Sequence, residues 1–336
     1  MKQSSLISST TKENSIKKSS DFLPKTKFIS SLKNGDHLEN EPFVCKNVRL
    51  GITAGGKNYL DLILADKTGE INAKIWHDNL LNCPVPKADD TVAVYATIEE
   101  FKDKPQLNIS AMQKNVKIDI TEFLPTTKKS FDELIDFIEK KIDSIKDKNL
   151  KKLLSLIFAD QNFKQKFYQA PAAEFIHHAY LGGLLEHIQE MLLLAETCQK
   201  LYPDLDMDLL NSGILLHDIG KVEELAVGNS INRTLAGNLV GHLILGTTFV
   251  DQKICAIKDF PQNLRAKILN MLISHHERPE FGSPVRPMTF EAVALTYIDN
   301  LSAKLNSCHK VLLDNQNSEM DFSDKNFALD AKIYLK

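Results

Sequence analysis

The chain has 336 residues, 43% of them hydrophobic and 25% charged, with a formal net charge of −3 at pH 7. That length accommodates two domains, and the composition is that of a globular protein rather than a fibrous or disordered one. A global basic signature is excluded, so any polyanion partner must be held by a local patch or through metal ions. Cys45, Cys83, Cys198, Cys255 and Cys308 are an odd number without a CxxC spacing, which reads as reduced thiols rather than a disulfide frame. The opening MKQSSLISST lacks a signal-peptide apolar core and no run approaches a membrane span, so the expectation is a cytoplasmic protein with no membrane partner.

Residues 1–24 are rich in Ser, Lys and Thr with little to bury, and a disordered arm is expected there. From about residue 42 to 118 the hydrophobic period is two. Leu60, Leu62 and Leu64 alternate with Tyr59, Asp61 and Ile63, a turn follows at 66–69, and Ile71, Ala73 and Ile75 alternate with Asn72, Lys74 and Trp76. Further strands read at 92–98 and 107–109. Four or five short strands with Gly, Asp and Pro punctuation predict a small antiparallel barrel over residues 25–120, with an OB-fold as the leading form. Lys74, Trp76 and Tyr59 share its outer surface, where an aromatic beside a lysine suits base stacking with backbone neutralisation. Trp76 filling a gap between domains is the plain alternative.

Residues 121–129 read as a linker, after which the period changes. Ser130 and Glu133 form a capping-box signature ahead of a helical stripe of Phe131, Leu134, Ile135, Ile138, Ile142 and Ile145. Helices are expected over about 149–168, 172–200, 207–224, 234–254, 262–277 and 289–306. They complete an all-α domain over 130–313, so the whole chain is α+β and multidomain. The tail over 314–336 carries weak signals.

Seven of the ten histidines lie between His177 and His276. His187 edges a stripe of Leu181, Leu184, Leu185, Ile188 and Leu192. His217 and Asp218 follow Leu215 and Leu216, and Lys221 shares their face three and four residues on. His242 is seven residues after Leu235, in a helix that Leu235, Leu239 and Leu243 should bury. His275 and His276 follow Met271 and Leu272 by four, and Asp299 follows Leu295 by four. Each points inward from its own helix, as a bundle-core metal site requires. A lone histidine on an apolar face is usually a core residue bonded to a carbonyl, but leaving this whole set unpaired would cost about 1–3 kcal/mol per group. His187, His217, Asp218 and Asp299 complete one site. His242, His275 and His276 exceed one ion's needs and suggest a second, with Asp218 as bridge and Lys221 facing a phosphate. Mixed nitrogen and oxygen ligands favour two Mn²⁺, or Fe²⁺, over Mg²⁺. His177 and His178, a turn or more upstream of His187, keep the plain reading of core histidines as far as ligation goes, with phosphate contact as the alternative, and His178 is counted among the nucleic-acid-binding candidates. Arg278 and Arg286, in the Pro- and Gly-punctuated loop 278–287, are candidates for the phosphodiester backbone.

His187, LHDIGK (216–221), GNLVGH (237–242), SHHERPEFGSP (274–284) and YIDNLSAK (297–304) resemble the HD-domain phosphohydrolases. From about Phe28 to about Lys304 the chain is similar to the YhaM-type 3′-to-5′ exoribonucleases, which join an OB domain to an HD domain. The resemblance maps the family's metal ligands onto His187, His217, Asp218, His242, His275 or His276, and Asp299. It implies Mn²⁺-dependent release of 5′-monophosphates from the 3′ end of single-stranded RNA, with DNA and homo-oligomers left open. Glu277 departs from the pattern, standing where glycine is expected. Two other readings remain: a phosphohydrolase of nucleotides or cyclic dinucleotides, and a non-catalytic nucleic-acid-binding protein with a silent HD fold.

Overall fold

The computed structural model describes residues 22–101, 104–174 and 178–336. The arm expected over 1–24 falls outside these up to residue 21, as does His177. The chain divides into two compact units. Among the described residues, one holds 22–64 with Ile71–Asp119, and the other holds Ala65–Glu70 with the residues from Ile120 onward.

The first unit is a closed barrel of β1 (His37–Ile52), β2 (Asn58–Asp66), β3 (Gly69–Ile75), β4 (Thr91–Phe101) and β5 (Lys104–Lys114), in the order β1-β2-β3-β5-β4. Period-two patterning sets its inside: Leu60, Leu62, Leu64, Ile71, Ala73 and Ile75 are buried with Phe43, Val94, Ile98, Leu107 and Ile109. The barrel is not wholly antiparallel. β1 pairs with β4 and β4 with β5 antiparallel, but β3 and β5 run parallel, with Ala73 opposite Leu107. Five strands around a ring cannot alternate direction throughout, so closure requires a parallel seam. This is OB-fold architecture.

The second unit is helical. It contains α1 (Phe131–Ser144), α2 (Lys148–Phe158), α3 (Gln161–Gln169), α4 (Gly183–Leu201), α5 (Met207–Leu216) and α6 (Lys221–Glu224). A short hairpin follows, β6 (Leu225–Val227) with β7 (Ile231–Arg233), and then α7 (Leu235–Leu239), α8 (His242–Cys255), α9 (Gln262–Ser274) and α10 (Phe290–Asp314). Its core runs from Leu134 and Ile138 through Leu185, Ile188 and Leu215 to Met271, Leu295 and Ile298. The Ser130 hydroxyl caps α1 by accepting from the Glu133 amide, as its sequence signature predicts.

Several expected helices are shorter or broken. The 149–168 segment is two helices because Asp160 caps a new one, accepting from the amides of Asn162 and Phe163. The 172–200 helix starts only at Gly183, behind Gly182 at φ +75°. The 207–224 helix stops at Leu216, and His217–Gly220 turn before α6. The 234–254 helix breaks at Gly241, whose φ is +78°. That break corrects the expected burial of Leu235 and Leu239, which are 78% and 76% exposed. They belong to α7, and only Leu243 and His242 share the phase of α8. The tail after Asp314 closes on itself through bridges between Phe322 and Tyr334 and between Asn326 and Ala331.

Candidate metal centre

The breaks in the helical pattern are what expose ligands. His217 and Asp218 sit in the turn after α5, where side chains need not follow a helical face. His242 opens α8 and His275 closes α9, while His187 comes from the second turn of α4 and Asp299 from the interior of α10. Close backbone approach holds these pieces together. A Cβ on Gly220 would lie 2.1 Å from the His242 carbonyl oxygen and 2.6 Å from the Gly246 amide nitrogen. Only glycine lets the His-Asp turn sit against the start of α8.

The side chains converge. His187 Nε2 lies 3.1 Å from Asp299 Oδ1. Asp218 is the hub: its Oδ2 is 3.4 Å from His217 Nε2, and its Oδ1 is 3.4 Å from His242 Nε2 and 3.6 Å from His275 Nε2. Ligand atoms of His187, His217 and Asp218 lie within 4.8 Å of one another, as do those of His217, His275 and Asp299, and those of His242, His275 and His276. Lys221 Nζ is 3.9 Å from Asp218 Oδ2.

The far side of each imidazole is anchored. Nδ1 of His217 meets the Ile214 carbonyl at 2.8 Å, that of His275 the Leu272 carbonyl at 2.9 Å, and that of His276 the Phe281 carbonyl at 2.9 Å. His242 Nδ1 lies 3.0 Å from Glu224 Oε2, and His187 Nδ1 lies 3.0 Å from Ser302 Oγ. A carbonyl can only accept, so Nδ1 of His217, His275 and His276 carries the hydrogen and Nε2 presents its lone pair inward. Such backing is the usual support of a metal-bound imidazole. Inside, His217 Nε2, His242 Nε2, His275 Nε2 and Asp218 Oδ1 are buried without a hydrogen-bond partner. Four unsatisfied ligand atoms clustered about Asp218 fit divalent-cation binding with mixed nitrogen and oxygen ligation.

Protonation favours the same state for the carboxylates and for every imidazole of the site except His217. Burial alone would raise the Asp218 pKa, but the Lys221 and His217 charges hold it well below the carboxylate range. Asp299 is lowered likewise, its burial outweighed by His187. Burial, then the His276 charge, pushes His275 down to about 4. Burial also lowers His187, His242 and His276. His217 goes the other way: its burial would lower it, and the Asp218 charge raises it.

The remaining candidates lie elsewhere. His178 is a correction: its ring is fully buried, with Nε2 3.2 Å from Glu190 Oε2 and Nδ1 2.7 Å from the Tyr180 hydroxyl, so it cannot offer the expected phosphate contact. Arg278 and Arg286 are exposed and both face Glu277, at 3.4 and 3.7 Å. Glu277 has φ +69°, the left-handed backbone that explains why glycine is expected there. On the barrel, Trp76 is 38% exposed, its ring 5.3 Å from that of Tyr59. Lys74 Nζ lies 4.7 Å above the Tyr59 ring and 3.0 Å from Asp61. Sequence reasoning missed Glu224, Ser302 and Glu190. Each stands three residues after an identified position (Lys221, Asp299 and His187), and that shared helical face was the available signal.

The HD domain family profile matches residues 184–304. The chain is 33% identical to the 3'-5' exoribonuclease YhaM of Geobacillus sp. over 294 residues, 87% of this chain and 89% of that protein. It is also 33% identical to the 3'-5' exoribonuclease YhaM of Bacillus subtilis over 295 residues, 87% of this chain and 92% of that protein. Among solved structures, the second OB-fold domain of replication protein A from Methanococcus maripaludis aligns at 17% identity and a TM-score of 0.22, covering 26% of this chain and 93% of that one. At that identity and coverage, the chain belongs to the YhaM family of 3'-5' exoribonucleases.

Proposed function

We propose that this metal-dependent exoribonuclease removes nucleotides one at a time from the 3′ end of single-stranded RNA, releasing nucleoside 5′-monophosphates. The reading rests above all on Asp218, whose two oxygens face different histidines at 3.4–3.6 Å. His187, His217, Asp218 and Asp299 would hold one ion, and Asp218 with His242, His275 and His276 a second. Divalent ions held there, Mn²⁺ in this reading, would supply an activated water and Lewis-acid stabilisation of the phosphate.

The chain's own groups do the rest. Lys221, buried beside Asp218, sets a fixed positive charge toward the phosphate as its negative charge grows. Arg278 and Arg286 hold the strand's phosphates once these replace Glu277 as partner. Trp76 and Tyr59 stack bases while Lys74 meets the backbone. Residues 25–120 serve as the nucleic-acid-binding domain, 121–129 as linker and 130–313 as the hydrolase, working in the cytoplasm. No helix among the described residues is long and apolar enough to cross a membrane. Degradation of 5′-labelled single-stranded RNA and DNA with Mn²⁺ tests the reading, because the ladder reports direction and substrate together.

A further inference from the structure

The polar groups behind His187 form a chain leading away from the metal face. Ser302, one turn beyond Asp299 on α10, has its Oγ 3.0 Å from His187 Nδ1 and donates its proton to Glu190 Oε2 at 2.8 Å. Glu190 lies three residues after His187 on α4. The same Oε2 is 3.2 Å from His178 Nε2, and Glu190 Oε1 is 4.0 Å from Lys129 Nζ. Burial alone would raise the Glu190 pKa, but its bond to His178 and that ring's charge outweigh this, so the pKa is lowered.

A serine hydroxyl has one proton, and an ionised carboxylate can only accept. Charge-assisted bonds are roughly twice as strong as neutral ones, so Glu190 wins the Ser302 proton over a neutral imidazole nitrogen. Ser302 Oγ then offers His187 only lone pairs. A cation held at His187 Nε2 requires the ring hydrogen on Nδ1, and Ser302 Oγ, its own proton held by Glu190, is placed to accept that hydrogen. His187 Nε2 and Asp299 Oδ1 stand at hydrogen-bond distance, 3.1 Å, and a cation shared by the two would take the place of the hydrogen between them.

We propose that Glu190 and Ser302 are positioning residues that fix the His187 tautomer, keeping its Nε2 open for a divalent cation. The proposal rests on the metal-centre reading above. In Glu190→Gln the amide can donate to Ser302, the Ser302 proton turns to His187 Nδ1, and the His187 hydrogen moves to Nε2, where it blocks ligation. Ser302→Ala removes the acceptor, whereas Ser302→Thr keeps the hydroxyl and should restore function.

The test is Mn²⁺ affinity by equilibrium dialysis for wild type, Glu190→Gln, Ser302→Ala and Ser302→Thr, alongside thermal unfolding without metal. Expected is about 10–100-fold weaker Mn²⁺ binding for Glu190→Gln and Ser302→Ala, the range typical of lost support behind a ligand. Ser302→Thr should bind within a few-fold of wild type, and metal-free unfolding should match across the set. In the Zn²⁺-loaded wild type the His187 Nδ1 hydrogen should give a protected downfield resonance that Ser302→Ala loses. If Glu190→Gln fails to fold, the Ser302 pair decides. Equal Mn²⁺ affinity in wild type, Glu190→Gln and Ser302→Ala would overturn the relay and leave the metal centre standing. A wild type that binds no Mn²⁺ would overturn both.

Discussion

Asp218 Oδ1 lies 3.4 Å from His242 Nε2, and neither atom has a hydrogen-bond partner. A buried carboxylate held ionised and a buried imidazole held neutral are costly neighbours unless something satisfies both. Asp218→Asn keeps the shape and removes the charge, and an amide is a poor ligand for two cations. Turnover should fall about 10³-fold or more, in line with the several kcal/mol that metal polarisation supplies. Steady-state hydrolysis with metal content measured on the same preparation checks this. Near wild-type rates at unchanged metal content would sink the bridging role.

The histidines also set a pH dependence for the metal-free protein. Burial pushes the folded pKa of His275 down to about 4, from the 6.5 of an unperturbed histidine. Between those values the unfolded chain binds a proton that the native state refuses, so stability is full above 6.5 and is lost as pH falls toward 4. For this residue alone the loss is about 3 kcal/mol. His187, His242 and His276 shift in the same direction. His217 shifts upward, so its contribution is present below 6.5 and is lost as pH rises. With four residues against one, the midpoint of thermal unfolding without metal should drop from about pH 7 to about pH 5. A flat or rising midpoint across that range would contradict the assigned shifts.

Gly220 is a packing prediction. A methyl group there would press on the backbone of His242 and Gly246, which cannot rotate away. Gly220→Ala should therefore cost about 1–3 kcal/mol by overpacking and weaken metal binding by displacing His242. Denaturant unfolding and metal titration of the variant measure both, and a variant as stable as wild type would show that the turn has slack.

What could be read in advance follows from what local pattern encodes. Alternation placed Leu60, Leu62 and Leu64 inside the barrel because a strand's side chains switch faces at every residue. The parallel β3–β5 seam has no such signature, being a consequence of closure. In the helical unit, residue type and order marked His187, His217, Asp218 and Asp299. The breaks at His217–Gly220 and at Gly241 did not show, because an apolar stripe continues across them. Leu235 was misplaced for that reason. The burial of His178 was not legible because its partner Glu190 comes from α4, twelve residues on.

On the barrel, the Tyr59 and Trp76 rings lie tilted together with Lys74 above Tyr59, the surface we propose for single-strand stacking. Trp76→Ala should weaken binding of long single strands by about 1–3 kcal/mol and leave hydrolysis of bis-p-nitrophenyl phosphate nearly unchanged. The Lys74 contribution should fade with salt. Equal slowing on both substrates, or a large loss of thermal stability, would make Trp76 a packing residue instead.

The most direct test of the central claim uses single-stranded RNA labelled at its 5′ end, incubated with the purified protein and Mn²⁺, with and without a 3′-phosphate. Expected are a ladder that shortens from the 3′ end, nucleoside 5′-monophosphates as products, a block by the 3′-phosphate, and no reaction after chelation. Immediate loss of the 5′ label as a mononucleotide, nucleoside 3′-monophosphates, or full activity in chelator would contradict it.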